Sequence, residues 1–271
     1  MRNFEVSSLA GVVPAERGTD GFLHWFIMAN PLVSSAVQQA YRSQYTSSDH
    51  SWRDLGGRQK AENIRRLCQE HLFSCVLDVG SGDGAVLEWL DRWQVFPAIQ
   101  SLEISESGAA SIRERKLASV QDVRLFDGYH IPHGDKAFPL ATCSHVIEHV
   151  EHPRLLLREI ARVSTHQFFE IPIDFSLFVD RRVQHFLDYG HINIFTPSLF
   201  KFLLKTEGFE ILDEQYVFYD TEVIRRYSPN RLTYWSRWLK TQIIRAVPVL
   251  RKTKPNAYAV LCRHREGLRI F

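Results

Sequence analysis

A short apolar run that ends in three closely spaced glycines constrains this chain more than any other feature of its sequence. Residues 74–79 (SCVLDV) have the pattern of a fully buried strand, and Gly80, Gly82 and Gly84 follow before an amphipathic segment that begins at Ala85. Glycines at this point let the chain turn sharply and let a ligand lie against bare backbone. The pattern therefore predicts a strand, a ligand-binding loop and a helix of an α/β domain.

Apolar runs and helical segments alternate along the rest of the chain. Strands separated by helices imply right-handed crossovers and a mostly parallel sheet with helices on both faces. We predict a doubly wound α/β fold with a seven-stranded, Rossmann-like sheet, whose ligands bind beyond the carboxyl ends of the strands. The predicted strands are 74–79, 99–104, 120–126, 140–144, 167–173, 210–218 and 257–263, and the predicted helices between them are 85–93, 105–117, 153–163 and 197–206.

The predicted organisation is one domain with appendages, because 271 residues, 45% of them hydrophobic, can bury one substantial core. The pair Gly56-Gly57 predicts a break before an amphipathic helix that begins at Arg58. We therefore predict an N-terminal helical or lid segment over 1–57 and the main domain over 58–271. The apolar stretch 21–33 is too short to span a bilayer and favours a buried helix or a flap over the substrate.

Charge and cysteine content narrow the class of protein. The formal net charge is only +2, so the chain as a whole has no strong field that would attract nucleic acid. The four cysteines are scattered without a C-x-x-C pair, which predicts buried, reduced thiols and a cytoplasmic protein.

Basic residues concentrate in one insertion, at about 220–255, before the last predicted strand. Nine lysines and arginines and no acidic residue occur over 225–254. The apolar residues that recur there near helical spacing are Leu232, Trp235, Leu239 and Ile243. Such a helix either packs its tryptophan face on the domain, which is our first expectation, or lies on an anionic membrane surface. Binding to an RNA backbone is the least favoured alternative.

The glycine loop alone leaves two kinds of adenosine cofactor open. Gly80-x-Gly82-x-x-Ala85 satisfies the relaxed dinucleotide fingerprint, and Glu103 lies about 20 residues further on, where a ribose-binding acid belongs. Asp78 favours the second kind, because a carboxylate just before the glycines would repel a pyrophosphate but could accept from the ammonium group of a methionine moiety. S-adenosylmethionine has that ammonium group and no phosphate.

Residues 78–84 (DVGSGDG) resemble motif I of the class I methyltransferases, and further matches follow in the order of that family. They are Glu103 at the end of the second strand, Asp127 with Ile131-Pro132 after the third, 143–150 (CSHVIEHV) at the fourth, and 190–197 (GHINIFTP) before a late helix. The resemblance covers about 58–218. On these motifs the chain is identified as a class I methyltransferase that uses S-adenosylmethionine, with a domain similar to methyltransferase types 11 and 23.

The resemblance implies a donor site at the glycine loop. Asp78 would accept from the methionine ammonium group, Glu103 would hold both ribose hydroxyls, and Asp127 would accept from the adenine amino group. The residues expected to bind S-adenosylmethionine are Asp78, Gly80, Ser81, Gly82, Gly84, Glu103, Ile104, Asp127, Gly128 and Ser144.

Histidines are the candidate catalytic residues. Methyl transfer from a sulfonium is an in-line displacement, which mainly requires alignment and exclusion of water. An oxygen or nitrogen acceptor must also lose a proton, and histidine suits that task. His145, at the end of the fourth strand, is the first candidate for a base or an orienting group. The resemblance suggests that His149 holds the helix start or lines the pocket, and His191 is a third candidate on the late loop.

A metal site is a more specific alternative to the catalytic roles of the same histidines. His145-x-x-Glu148-His149 is similar to a Glu-x-x-Glu-His metal site of some RNA-end and quinone-precursor methyltransferases, with His191 as a fourth ligand. This chain has His145 where those families have Glu, and the Glu-His pair is common in relatives without a metal. We therefore predict no metal.

The expected function is methyl transfer to a small-molecule acceptor, at oxygen or nitrogen more than at carbon. One rival is an NAD(P)-dependent oxidoreductase, which would bind NAD(P) tightly. The other is a non-catalytic adaptor that retains the fold, which would bind the donor without turnover.

Overall fold

The computed structural model describes residues 50–175 and 179–265, except for the side chains of 50–52, 179, 181 and 185. The predicted lid segment up to residue 49, with its apolar stretch 21–33, lies outside the described residues.

The predicted α/β fold is confirmed. The described strands form one sheet in the order β3-β2-β1-β4-β5-β7-β6. β7 pairs antiparallel with both of its neighbours, whereas the other four pairings are parallel. The strands are β1 (Val76–Val79), β2 (Ile99–Glu103), β3 (Val120–Leu125), β4 (Phe138–Ser144), β5 (Ser164–Pro172), β6 (Phe209–Val217) and β7 (Ala257–His264).

The structure describes helices at all four positions predicted between the strands, 85–93, 105–117, 153–163 and 197–206, and further helices that the periodicity does not predict. They are α1 (His50–Cys68), α2 (Ala85–Arg92), α3 (Glu106–Arg115), α4 (Pro153–Val163), α5 (Val183–Tyr189) after a 3₁₀ turn over Val179–Arg182, α6 (Pro197–Thr206), α7 (Thr221–Arg226), α8 (Arg231–Ala246) and α9 (Pro248–Thr253). Among the described residues, no helix is both long and apolar enough to cross a membrane.

The predicted break at Gly56-Gly57 is wrong, because α1 begins at His50 and runs through both glycines. A Cβ built on Gly57 would lie 2.8 Å from the carbonyl carbon of Ala85. The glycine therefore serves close packing of α1 on the start of α2 rather than a turn. Local composition does not distinguish these two uses of glycine.

Helices bury apolar side chains on both faces of the sheet, as a mostly parallel sheet requires. On one face α4 contributes Leu156 and Ile160, and α6 contributes Phe200. On the other face α1 contributes Ile64 and α2 contributes Leu87. All four cysteines are free, and three of them are fully buried.

The parallel strands bring their carboxyl ends to one edge of the sheet. The glycine loop follows β1 at this edge, Asp127 follows β3, and His145 follows β4. β6 is antiparallel to β7 and therefore parallel to β1–β5, so the insertion that follows it also begins at this edge. This single edge is where a ligand of such a sheet binds.

The insertion forms the predicted helix, but the expectation that its tryptophan face packs on the domain is wrong. Trp235 and Leu239 of α8 are each 55% exposed. Two hydrogen bonds explain the rotation of the helix: Arg237 donates to the Tyr227 carbonyl, and Arg245 donates to the Tyr219 carbonyl at 3.3 Å. These two arginines therefore fix one side of α8, and the apolar side chains Leu232, Trp235, Leu239 and Ile243 on its other side face solvent.

Candidate functional site

The glycine loop after β1 has a conformation that only glycine adopts easily. Gly80 has φ of +78°, and a Cβ built on it would lie 2.4 Å from Cγ2 of Val146. Its amide donates to the Leu102 carbonyl of β2 at 2.8 Å, and the Ser81 amide donates to the same oxygen at 3.1 Å. The loop is therefore fixed against β2. Its glycines have no side chains, so their backbone is open to a ligand.

Asp78 stabilises this loop through hydrogen bonds of its side chain. Its carboxylate is buried and accepts from the Ser81 hydroxyl and from the Thr142 hydroxyl of β4, each at 2.6 Å. Burial raises the pKa of Asp78, while the two hydroxyls act in the opposite direction. The side chain thus ties β1, the loop and β4 together at the strand ends.

Glu103 connects the loop to the end of β2. Its carboxylate accepts from the Gly82 amide at 2.7 Å and from the Ser105 amide at 2.9 Å. Burial raises its pKa to about 7. Gly108 of α3 leaves room for this arrangement, since a Cβ there would lie 2.6 Å from the Gly82 carbonyl oxygen.

The other predicted donor-site residues lie along the same edge. Asp127 accepts from the amides of Tyr129 and His130 through one oxygen, in a turn that Gly128 enters with φ of +90°. Ile104 packs partly buried against the core, and the Ser144 hydroxyl donates to Glu170 at 3.4 Å.

His145 occupies a strained position directly after β4. Its φ is +56°, a conformation that is uncommon outside glycine and often marks functional sites. Its ring lies between two carboxylates, with Nδ1 3.6 Å from Glu148 and Nε2 3.4 Å from Glu170. Burial, with Lys60 as the next cause, holds the pKa of His145 well below its ordinary value.

His149 and His191 come together although 41 residues separate them along the chain. Their ring centroids lie 4.8 Å apart. Nδ1 of His149 is 3.0 Å from the Gly190 carbonyl oxygen, and Nδ1 of His191 is 2.6 Å from the Asp174 carboxylate. In each ring one nitrogen is therefore held by an oxygen, which fixes the orientation of the other.

Glu148 lies beneath the two histidines. It is 1% exposed, and neither of its carboxylate oxygens has a hydrogen-bond partner among the described residues. Its Oε1 is 3.7 Å from Nε2 of His149. Burial raises the pKa of Glu148 to about 7, and burial together with His191 lowers the pKa of His149 to about 4.

The motif considered as an alternative metal site is only partly assembled. Within residues 50–175 and 179–265, Glu148, His149 and His191 offer ligand atoms that lie within 4.8 Å of one another, and His145 is not part of this group. That no metal acts here stays a prediction.

Sequence reasoning assigned no individual role to four residues of this edge. Lys60 and Asn63 lie on α1; Asn63 donates to Glu170 at 3.1 Å, and Lys60 lies near Glu148 and Glu170. Glu170 is a carboxylate inside the apolar run FFEIP of β5, and Asp174 follows the end of that strand. The position of Glu170 could have been noticed from sequence, because an acidic residue within a buried strand indicates a polar site.

A cavity of about 460 Å³ lies between α8 and the ends of β5 and β6. Ile173 and Phe175, on either side of Asp174 in the chain, line this cavity, whereas Asp174 and His191 are not among the described residues that line it. The apolar lining also includes Phe218, Ile224 and Ile244, and the charged lining consists of Arg237, Lys240 and Lys254.

We predict that Glu148→Gln stabilises the protein at pH 8 but not at pH 4.5. A carboxyl group with a pKa near 7 when folded, against an ordinary 4.5, keeps a proton that the unfolded chain releases. The free energy of unfolding of the parent protein therefore falls by up to about 3 kcal/mol as the pH rises from about 4.5 to 7, and Glu148→Gln avoids this loss. Urea unfolding of both proteins at the two pH values measures this. The exposed Glu114→Gln is the control, and an equal effect at both pH values would contradict the prediction.

Comparison with known proteins adds independent information. The family model described as methyltransferase domain matches residues 50–214, which is more than half of the chain. No curated protein matches the chain by sequence.

Solved structures share the fold. A chain of the complex between the Haloferax volcanii Trm112 methyltransferase activator and its methyltransferase has a TM-score of 0.59 and 12% identity, over 86% of this chain and 100% of that one. Haemonchus contortus phosphoethanolamine N-methyltransferase 2, in complex with S-adenosyl-L-methionine, has a TM-score of 0.59 and 12% identity, over 86% and 61%. A SAM-dependent methyltransferase from Aquifex aeolicus has a TM-score of 0.50 and 14% identity, over 85% and 98%. At sequence identities this low, the structural similarity shows a common fold and no more.

Proposed function

The chain belongs to the methyltransferase domain family and is an S-adenosylmethionine-dependent methyltransferase, and we propose that it methylates an oxygen or nitrogen atom of a small-molecule acceptor. The observation that carries the proposal is the His191–Asp174 pair, in which Nδ1 lies 2.6 Å from the carboxylate, at the edge of the sheet where the glycine loop also lies.

The loop residues fit the donor by their chemistry. S-adenosylmethionine supplies a methyl group on a positively charged sulfur. We assign Gly80, Gly82 and Gly84 to contact with the donor through bare backbone, and Glu103 to its ribose. Asp127 would receive the adenine, and Asp78 would face the methionine ammonium group and hold Ser81 in place.

His191 has the geometry of a general base. If its Nδ1 donates to Asp174, its Nε2 is left as a proton acceptor, as in other His-carboxylate pairs. Bound S-adenosylmethionine would supply the methyl group, and His191 would take the proton that the acceptor atom loses. We assign His149 and His145 to orienting roles, because burial keeps both rings neutral.

The cavity lining suggests the character of the acceptor. Among the described residues, three cations and no carboxylate line the cavity, together with apolar and aromatic side chains. A small molecule with an apolar part and a negative or strongly polar group would match this lining.

The proposal is tested in two steps. S-adenosylhomocysteine should raise the unfolding temperature and NAD should not, because a ligand stabilises only the state that binds it. Transfer of labelled methyl groups is then measured over a panel of small polar and anionic acceptors. Stabilisation by NAD alone would favour an oxidoreductase, and binding of S-adenosylhomocysteine without transfer to any acceptor would favour a non-catalytic adaptor.

A further inference from the structure

The outer face of α8 presents a continuous row of apolar side chains to solvent. The row consists of Leu232, Trp235, Leu239 and Ile243, and Val247 and Val249 extend it to α9; Leu232 is 82% exposed. Spacings of three and four residues place the four helical members on one stripe. Scattered exposed apolar residues are ordinary, but a stripe along a whole helix indicates a surface that something covers.

The surroundings of this stripe are uniformly basic. Residues 225–254 contain nine lysines and arginines and no acid. Arg231 directly precedes Leu232, about 100° further around the helix, and Arg251 and Lys252 follow Val249 in α9. Arg231, Arg251 and Lys252 are all exposed, and in the described part of the chain none of them pairs with a carboxylate.

The outward direction of the stripe is built into the fold. Asn230 caps the start of α8 by accepting from the Thr233 amide at 2.9 Å, and Arg237 bonds to the Tyr227 carbonyl. The Arg245 guanidinium lies 5.5 Å above the Phe218 ring. The contacts of Arg245 with Tyr219 and Phe218 hold the opposite side of the helix against the end of β6, so the stripe faces away from it.

We infer that this face of α8 docks on the surface of an anionic lipid bilayer, with the stripe at the acyl boundary and the flanking cations at lipid phosphates. An apolar stripe bordered by lysine and arginine is the pattern of helices that lie in the membrane interface. Trp235 suits that depth because its indole is apolar with one polar group. An RNA backbone would pair with the cations but would leave the leucines and the isoleucine exposed to water. Two copies of this face would repel each other through their cations.

Sedimentation of the full chain with vesicles tests the docking and does not depend on methyl transfer. We expect binding to vesicles that contain phosphatidylglycerol, weak binding to pure phosphatidylcholine, and weakening by salt. Leu239→Glu or Trp235→Glu should reduce partitioning about ten- to a hundredfold, because each removes one buried apolar side chain and adds a repelled charge. The combined change Arg231→Gln, Arg251→Gln and Lys252→Gln should also reduce it.

Phe202→Glu is the matched control, since Phe202 is 64% exposed on α6, away from the stripe. It should leave vesicle binding unchanged, and all variants should keep the unfolding temperature of the parent because the altered side chains are exposed. Absence of binding to anionic vesicles would overturn the inference, as would equal binding by Leu239→Glu. RNA binding insensitive to Leu239→Glu, or a dimer that this change dissolves, would instead assign the face to RNA or to a second copy.

Discussion

His191→Gln should lower turnover about 10²- to 10⁴-fold while leaving donor affinity nearly unchanged. The substitution removes the proton acceptor that Asp174 orients at 2.6 Å, and general bases contribute rate factors of this size. Turnover is measured with the acceptor that the panel identifies, and donor affinity is measured by calorimetry with S-adenosylhomocysteine. Asp174→Asn should reduce turnover in the same direction, because it weakens the orientation of the ring.

The controls separate a base from a structural histidine. His152→Gln changes an exposed histidine at the start of α4 and should leave turnover unchanged. His145→Ala should cut turnover more than donor affinity, as its position between Glu148 and Glu170 suggests. Full activity of His191→Gln would show that His191 is not the base. Loss of activity of the parent protein on chelation, restored by added zinc or manganese, would instead show that Glu148, His149 and His191 form a metal centre.

Glu103→Ala should weaken S-adenosylhomocysteine binding by about 1–3 kcal/mol, which is about 5- to 150-fold. The carboxylate is proposed to hold the ribose hydroxyls, and it also fixes the loop through the Gly82 amide at 2.7 Å. The loss therefore combines a missing charged hydrogen bond with a looser loop. Glu103→Gln keeps one acceptor oxygen and should recover part of the affinity.

Glu106→Gln is the control for this measurement, because it alters an exposed carboxylate only three residues away. Calorimetry on folded protein gives the affinities. Parent-like affinity in Glu103→Ala would contradict the role assigned to Glu103 and would leave the donor held by the glycine loop and Asp127. Asp78→Ala should also weaken binding, since it removes the partner of the Ser81 and Thr142 hydroxyls.

The sequence predicted the strands and their flanking helices well because each element carries its own periodicity. The seven predicted strands are all present; the largest differences are that β5 begins early, at Ser164, that β4 begins early, at Phe138, and that β1 begins late, at Val76. The donor-site residues could be proposed from sequence for a related reason. Each lies at or just beyond the carboxyl end of a parallel strand, and parallel strands deliver such residues to one edge whatever the details of packing.

The histidine cluster could be predicted only in part. His149 and His191 were candidates by position, but their contact depends on how the loop before α6 crosses the edge of the sheet. Lys60 and Asn63 reach the site because α1 packs against β6 and β7, segments that lie far from it in the chain, and Asn63 bonds to Glu170, 107 residues away. Periodicity gives no information about such pairings.

The sequence by itself determined the α/β class, the glycine loop and the order of acids along the strand ends, because these depend on local pattern and on the geometry common to parallel strands. Only the tertiary structure decided that α1 continues through Gly56-Gly57, that Asp174 orients His191, and that the apolar side of α8 faces outward. Each of these depends on the rotation or position of one element against another, which is fixed by contacts between residues far apart in the chain.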